Sequence, residues 1–148
     1  MNAFRKRHEN GVAVLEFALS SSVLIALLAG VFQFGYSFFV YNQLMVAVSN
    51  AGELGSKMNY DTANPSAYST ALQNMVVYGD TTAGTSPIVL GLTTSNVHVN
   101  STLVSGIPVD VTVSITGYQV DAVFTKFSFS GKPRATFAYM GHVVCSAC

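Results

Sequence analysis

One carboxylate, Glu16, stands inside the otherwise uncharged run GVAVLEFALSSSVLIALLAGVF, from Gly11 to Phe32. A carboxylate in hydrocarbon costs roughly 2.5–3.5 kcal/mol on insertion scales, so residues kept there usually have a partner and a task. No basic residue shares the apolar segment, and Arg7 lies nine positions earlier with Gly11 between them. A cut after Gly11 would change this, because the chain would then begin VAVLEF, with a new amine on Val12 and Glu16 as its fifth residue. The amine and Glu16 would be one helical turn apart. The pair could close within one helix or, between neighbours offset by a turn, across subunits. In the second case Glu16 is a registration device, since a misplaced subunit leaves a carboxylate unpaired in lipid. The competing reading is an interfacial carboxylate, roughly 7 Å into the helix, that snorkels to water.

The other residues with chemical potential lead less far. Cys145 and Cys148 form a C-x-x-C pair at the C-terminal end, and His142 extends it to H-x-x-C-x-x-C. Thioredoxin-like chemistry places such a pair at a helix start, so a local disulfide between Cys145 and Cys148 in an oxidising compartment is the expected state. No second C-x-x-C completes a zinc site, and neither metal nor cofactor is expected. His98 falls on the polar side of an alternating segment, where a solvated residue is the ordinary explanation. Asn100-Ser101-Thr102 matches a glycosylation sequon that matters only where the machinery exists. There is no phosphate loop and no G-x-S-x-G, and nothing local joins a serine to His98 or His142 and Asp110. Catalysis is not expected.

The elements that must carry Glu16 follow from the distribution of charge and apolarity. Seven Lys and Arg balance seven Asp and Glu, which excludes a basic field for nucleic acid. Between Glu9 and Glu53 the only formal charge is Glu16, while Arg5, Lys6 and Arg7 crowd before the apolar run. Such a flank holds an N-terminus in the cytoplasm. Val12 to Tyr41 is 30 residues without proline, more than the roughly 20 needed to cross a bilayer. It is also about twice the roughly 7–15 residues of a cleaved signal core. Beyond it, Tyr41, Leu44, Ala47, Val48, Ala51, Gly55 and Met58 recur at steps of three and four, so the helix continues to about Lys57, on the order of 70 Å from Gly11. Gly30, Gly35, Ala47, Ala51, Gly52 and Gly55 would let other backbones come close.

After Met58 the turn-rich NYDTANPSAYS leads to a short helix over Ala67–Tyr78, capped by Ser66, with Ala71, Leu72, Met75 and Val76 on one face. The loop GDTTAGTSP follows. Val97 and Val99 alternate with His98 and Asn100, and in IPVDVTVSI Val109, Val111, Val113 and Ile115 oppose Asp110, Thr112 and Ser114. A further strand pair is expected over Val120–Phe129 and Arg134–Val144, joined by Ser130-Gly131-Lys132-Pro133. The fold class is α+β, with a long N-terminal helix packed at its C-terminal half on a small antiparallel sheet.

The order of basic leader, Gly11, four apolar residues, Glu16, Phe17 and a long apolar helix resembles the class III signal of type IV pilins. GVAVLEFAL, FQFGYSFFVYNQL and AVSNAGELGSKM look more narrowly like the TadE-like pseudopilins of tight-adherence (Tad) pilus systems. Ser20-Ser21-Ser22 stands where those sequences commonly have a proline, and Gln33 where they often have glutamate. The resemblance implies a leader over residues 1–11, a helix over 12–58 and a periplasmic domain over 59–148. It also implies cleavage between Gly11 and Val12 by a prepilin peptidase, with Glu16 and Phe17 serving processing or assembly. The implied partners are that peptidase, other pilin or pseudopilin subunits met through the helix, and the inner membrane. The rival from a different class is an unprocessed single-pass protein whose periplasmic domain binds a ligand such as cell-wall polymer.

Overall fold

The computed structural model of the chain describes residues 2–121, 126–129 and 131–144. The first element, α1 (Asn2–Lys57), is one unbroken helix. It begins before the expected Gly11 because residues 2–10 contain no proline, and a single glycine costs a helix only about 1 kcal/mol. There follow β1 (Tyr60–Asp61), α2 (Pro65–Tyr78), a 3-10 turn (Thr94–Asn96), β2 (Val97–Val104), β3 (Ile107–Ile115), β4 (Tyr118–Asp121), β5 (Lys126–Phe129), β6 (Arg134–Ala138) and β7 (Val143–Val144). The α+β head thus grips only the second half of α1.

In that half the apolar stripe is buried as its spacing requires. Leu44, Ala47, Val48 and Ala51 lie in the core, while Asn42, Asn50 and Glu53 stay in solvent. Val40, outside the expected stripe, is buried too, so the head reaches one turn lower. Leu72, Val76 and Val77 of α2 and Val97, Val111, Val113 and Ile115 of the sheet complete the core. A fully buried side chain of the Leu or Ile kind stabilises by about 1.5–3 kcal/mol. Two glycines permit this approach. A Cβ on Gly52 would stand 2.6 Å from the Phe137 ring, and one on Gly55 would stand 2.8 Å from Leu72 Cδ1 and 3.2 Å from Val111 Cγ1. At Gly30 and Gly35, by contrast, a Cβ would meet nothing within 4 Å.

Helix α2 starts two residues before the expected Ala67. Asn64, not Ser66, is its N-cap: the Asn64 side chain accepts from the Ala67 N–H at 3.3 Å, and Pro65 occupies the first turn, where its missing N–H does no harm. Ser66 instead donates to Asn64 Oδ1 at 2.8 Å. Gly79, at φ 76°, closes the other end with its N–H on the Met75 carbonyl.

The main sheet has the order β2-β3-β6, antiparallel throughout. The strand over Val120–Phe129 is not one strand paired with Arg134–Val144. Its ends form β4 and β5, which pair with each other, Tyr118 opposite Phe129, and residues 122–125 lie outside the described set, as does Ser130. β6 pairs instead with β3, where Ala135 opposite Val113 continues the apolar face over α1. β7 pairs in parallel with β1, an association across the chain that no local pattern announces. Val109 keeps the alternation of β3 yet is half exposed. Val111 already lies against Gly55 near the end of α1, so two residues further on there is no helix left to cover the strand.

The C-terminal carbonyls of a helix have no partner within it, and here the head supplies them. Tyr68 Oη donates to the Gly55 carbonyl at 2.6 Å, and the Met140 N–H donates to Ser56 at 2.7 Å. The Tyr139 hydroxyl lies 2.9 Å from both the Met58 and His142 carbonyls and serves one at a time. Burial raises the Tyr68 phenol far above its ordinary value, with Tyr139 and Tyr60 adding to the shift, and burial raises Tyr139 as well. The exposed Glu53–Lys57 pair, 2.6 Å apart, holds Glu53 below the usual carboxylate range and adds little to stability.

Two outcomes follow for thermal unfolding in detergent. Gly52→Ala gains about 1 kcal/mol of helix propensity and loses about 1–3 kcal/mol to overpacking against Phe137, so it should melt lower, whereas Gly35→Ala should not. An undiminished melting temperature for Gly52→Ala would contradict the close approach. Tyr68→Phe should cost about 1–3 kcal/mol by orphaning a buried carbonyl. Because folding raises the Tyr68 pKa, its contribution is complete below about pH 10, the ordinary phenol value, and fades as pH rises through the folded value. Alkaline difference absorbance should accordingly lose its last-ionising tyrosine in the variant.

Candidate functional site

From Val12 to Phe32, α1 exposes its large apolar side chains. Val12 is 60%, Phe17 76% and Phe32 63% exposed, and the intervening Leu, Ile and Val residues resemble them. Soluble monomers do not carry an apolar surface of this size, which therefore needs lipid or other helices around it. The helix from Gly11 to Lys57 is long and apolar enough to cross a membrane. Val12 to Phe32 alone covers about 31 Å, close to the ~30 Å of a hydrocarbon core. Two serines of this stretch turn inward on the backbone: Ser22 donates to the Leu19 carbonyl at 2.8 Å, and Ser21 to that of Phe17. Hydroxyls satisfied in this way are tolerated in lipid, which is how Ser21 and Ser22 fit a span.

Glu16 and Phe17 sit side by side on the exposed surface, and among the described residues Glu16 has no hydrogen bond or ion pair. Gly11 and Val12 are likewise exposed and helical, and a Cβ on Gly11 would meet nothing within 4 Å. These four residues occupy two successive turns of one helix. Cys145 and Cys148 lie outside the described residues, while His142 is exposed. On the sheet, His98 sits opposite Ser114 and Thr102 opposite Asp110, whose carboxylate accepts the Thr102 hydroxyl at 2.9 Å. Four positions along a strand separate His98 from Thr102 by about 13 Å, so His98 and Asp110 do not form a catalytic pair. Among the described residues no group of three His, Cys, Asp or Glu is placed to hold a metal ion.

The sequence reading missed Gln33 as a structural residue. It is only 6% exposed, and its carbonyl accepts from Ser37 Oγ at 2.9 Å. Just beyond it the Phe34 ring lies 6.3 Å from that of Phe127 on β5. The head thus first touches α1 at Gln33 and Phe34. A lone amide in an apolar run was the available signal for that boundary.

The chain is thus a small α+β head on a bare apolar helix long enough to anchor it in a membrane. Residues 11–52 match the family described as TadE-like protein, so the N-terminal helix is TadE-like from Gly11 to Gly52. No curated protein and no solved structure matches the chain. TadE-like proteins are associated with Tad pili, and the matched segment runs from Gly11 through Glu16 to Gly52, the first of the two glycines packed against the head.

The full chain should remain with the membrane fraction through alkaline carbonate washing. A chain shortened to begin at Gln33, which keeps Val40 and the core, should be released by that wash with the same head. Recovery of the full chain in the soluble fraction would contradict the span.

Proposed function

We propose that the protein is a pilin-like structural subunit, or accessory pseudopilin, that assembles into a Tad-type pilus through α1 and works by association without catalysis. One observation carries this reading: a TadE-like helix whose lower apolar surface is exposed among the described residues holds a single carboxylate, Glu16. Residues 1–11 act as the leader, 12–58 as the helix and 59–148 as the exported head. Arg5, Lys6 and Arg7 keep the N-terminus in the cytoplasm of the inner membrane, with the head in the periplasm. A prepilin peptidase cuts between Gly11 and Val12, at an exposed bond where glycine weakens the helix by about 1 kcal/mol and so eases local opening. The Val12 amine then lies one turn from Glu16. Phe17, exposed beside it, and the open positions Gly30 and Gly35 offer contacts to neighbouring helices. A local disulfide between Cys145 and Cys148 would suit the periplasm.

The rival reading is an uncut, permanently anchored protein whose periplasmic domain binds a ligand. Intact mass of the protein from native membranes, with and without the peptidase, separates the two. The first reading expects a start at Val12 only when the peptidase is present. A start at Met1 in both samples would overturn it in favour of the anchored protein. Glu16→Ala should insert at least as well as the parent and fail in processing or assembly, and Glu16→Gln should do the same, since it keeps the shape and removes the charge. Normal pili from either variant would remove the registration role.

A further inference from the structure

The lower end of the head carries an apolar side chain that the core does not use. Leu90 is 87% exposed, although its neighbours Val89 and Leu92 are 4% and 2% exposed and anchored in the core. The loop is not fraying: the Ile88 N–H donates to the Val77 carbonyl at 2.7 Å, and Tyr118 Oη donates to the carbonyl of Leu90 itself at 2.9 Å. A rigid loop therefore holds a leucine away from the core. Its level along α1 is known, because Leu90 and Tyr36 line one groove of about 280 Å³. On β5, Phe127 lies over Phe34 and shares with it a longer apolar groove that runs down α1 to Ser22.

These positions coincide with a bilayer surface. Measured from Val12, the hydrocarbon core ends near Phe32, and the interfacial layer occupies about the next 5–8 Å. Gln33 to Tyr36 lies within that layer, as therefore do Leu90 and Phe127. The helix marks the same layer with exposed Tyr36, a ring of the amphipathic kind enriched at a membrane–water boundary. From Thr81 to Val109 the sequence has no Asp, Glu, Lys or Arg, so no carboxylate near Leu90 in the chain opposes lipid phosphate.

We propose that the head is seated on the outer surface of the bilayer, with Leu90 and Phe127 inserted at the boundary between headgroups and acyl chains as a second membrane contact beside α1. The occupant is lipid because the patch is continuous with the span below it and lies at the depth where that span leaves the hydrocarbon. The seat holds the head at a set height and tilt until α1 is drawn out of the membrane. This rests on the reading of α1 as a spanning helix.

The chain has no tryptophan, so single-tryptophan versions of the full chain report depth without background. Leu24→Trp, Leu90→Trp, Phe127→Trp and Val104→Trp would be placed in phosphatidylcholine vesicles carrying a doxyl group near the top of the acyl chain or near its end, with iodide as the aqueous quencher. Val104 lies at the β2–β3 turn, at the opposite end of the head. In the Leu90→Trp and Phe127→Trp proteins the indole should be quenched by the shallow doxyl and shielded from iodide at every protein-to-lipid ratio. The Val104→Trp protein should respond to iodide alone. Iodide quenching of the Leu90→Trp protein, with the Leu24→Trp protein still responding to the deep doxyl, would overturn the seat and leave the span intact. Shielding at position 90 that grows with protein-to-lipid ratio would overturn it in favour of a second copy covering the patch. An iodide-accessible indole in the Leu24→Trp protein would remove the span and the seat together. Leu90 is too exposed for its replacement to disturb packing, so the Leu90→Trp protein decides the outcome even if Phe127→Trp fails to fold.

Discussion

The head stays on α1 because nothing larger than hydrogen fits at Gly52 and Gly55. Those two positions bring Phe137, Leu72 and Val111 against the helix backbone, and the same proximity puts Tyr68 Oη on the Gly55 carbonyl and the Met140 N–H on that of Ser56. Close packing and capping are therefore one event. A helix end buried without partners would cost about 1–3 kcal/mol for each orphaned carbonyl, so the head could not be lifted from α1 without exposing apolar surface and unpairing those groups together. The glycines that weaken α1 as an isolated helix strengthen it as one wall of a domain.

The helix meets its lower surroundings by other means. Below Gln33, among the described residues, the large apolar side chains of α1 face outward. α1 consequently has one face committed in its upper half and all faces uncommitted in its lower half. That asymmetry suits a subunit that is held first by lipid and then by neighbouring helices, with the head unchanged in both. Glu16 stands alone on the uncommitted part, where a partner must come from outside the described residues. The open glycines there, Gly30 and Gly35, differ from Gly52 and Gly55 only in what surrounds them.

Much of this organisation was legible in the sequence. The near absence of charge from Glu9 to Glu53 identified the span, and three- and four-residue steps from Leu44 to Ala51 identified the gripping face, because both depend on solvent and on helical period alone. Alternation at Val111, Val113 and Ile115 identified a strand for the same reason. The cap of α2 was misjudged between Asn64 and Ser66, two residues of similar capping ability, since the choice turns on how Pro65 fits the first turn. The exposure of Val109 was not legible, because alternation says which way a side chain points and not whether a helix is there to meet it.

By itself the sequence determined the apolar helix, its lone carboxylate, the amphipathic upper stripe and the strand character of residues 107–115, all set by local period and by the solvent each side chain prefers. Tertiary structure alone decided which strands pair, that β6 joins β3 and β7 joins β1, and that Leu90 is held out of the core beside Tyr36. Those features join residues far apart in the chain, and nothing in the short-range pattern of either partner specifies the other.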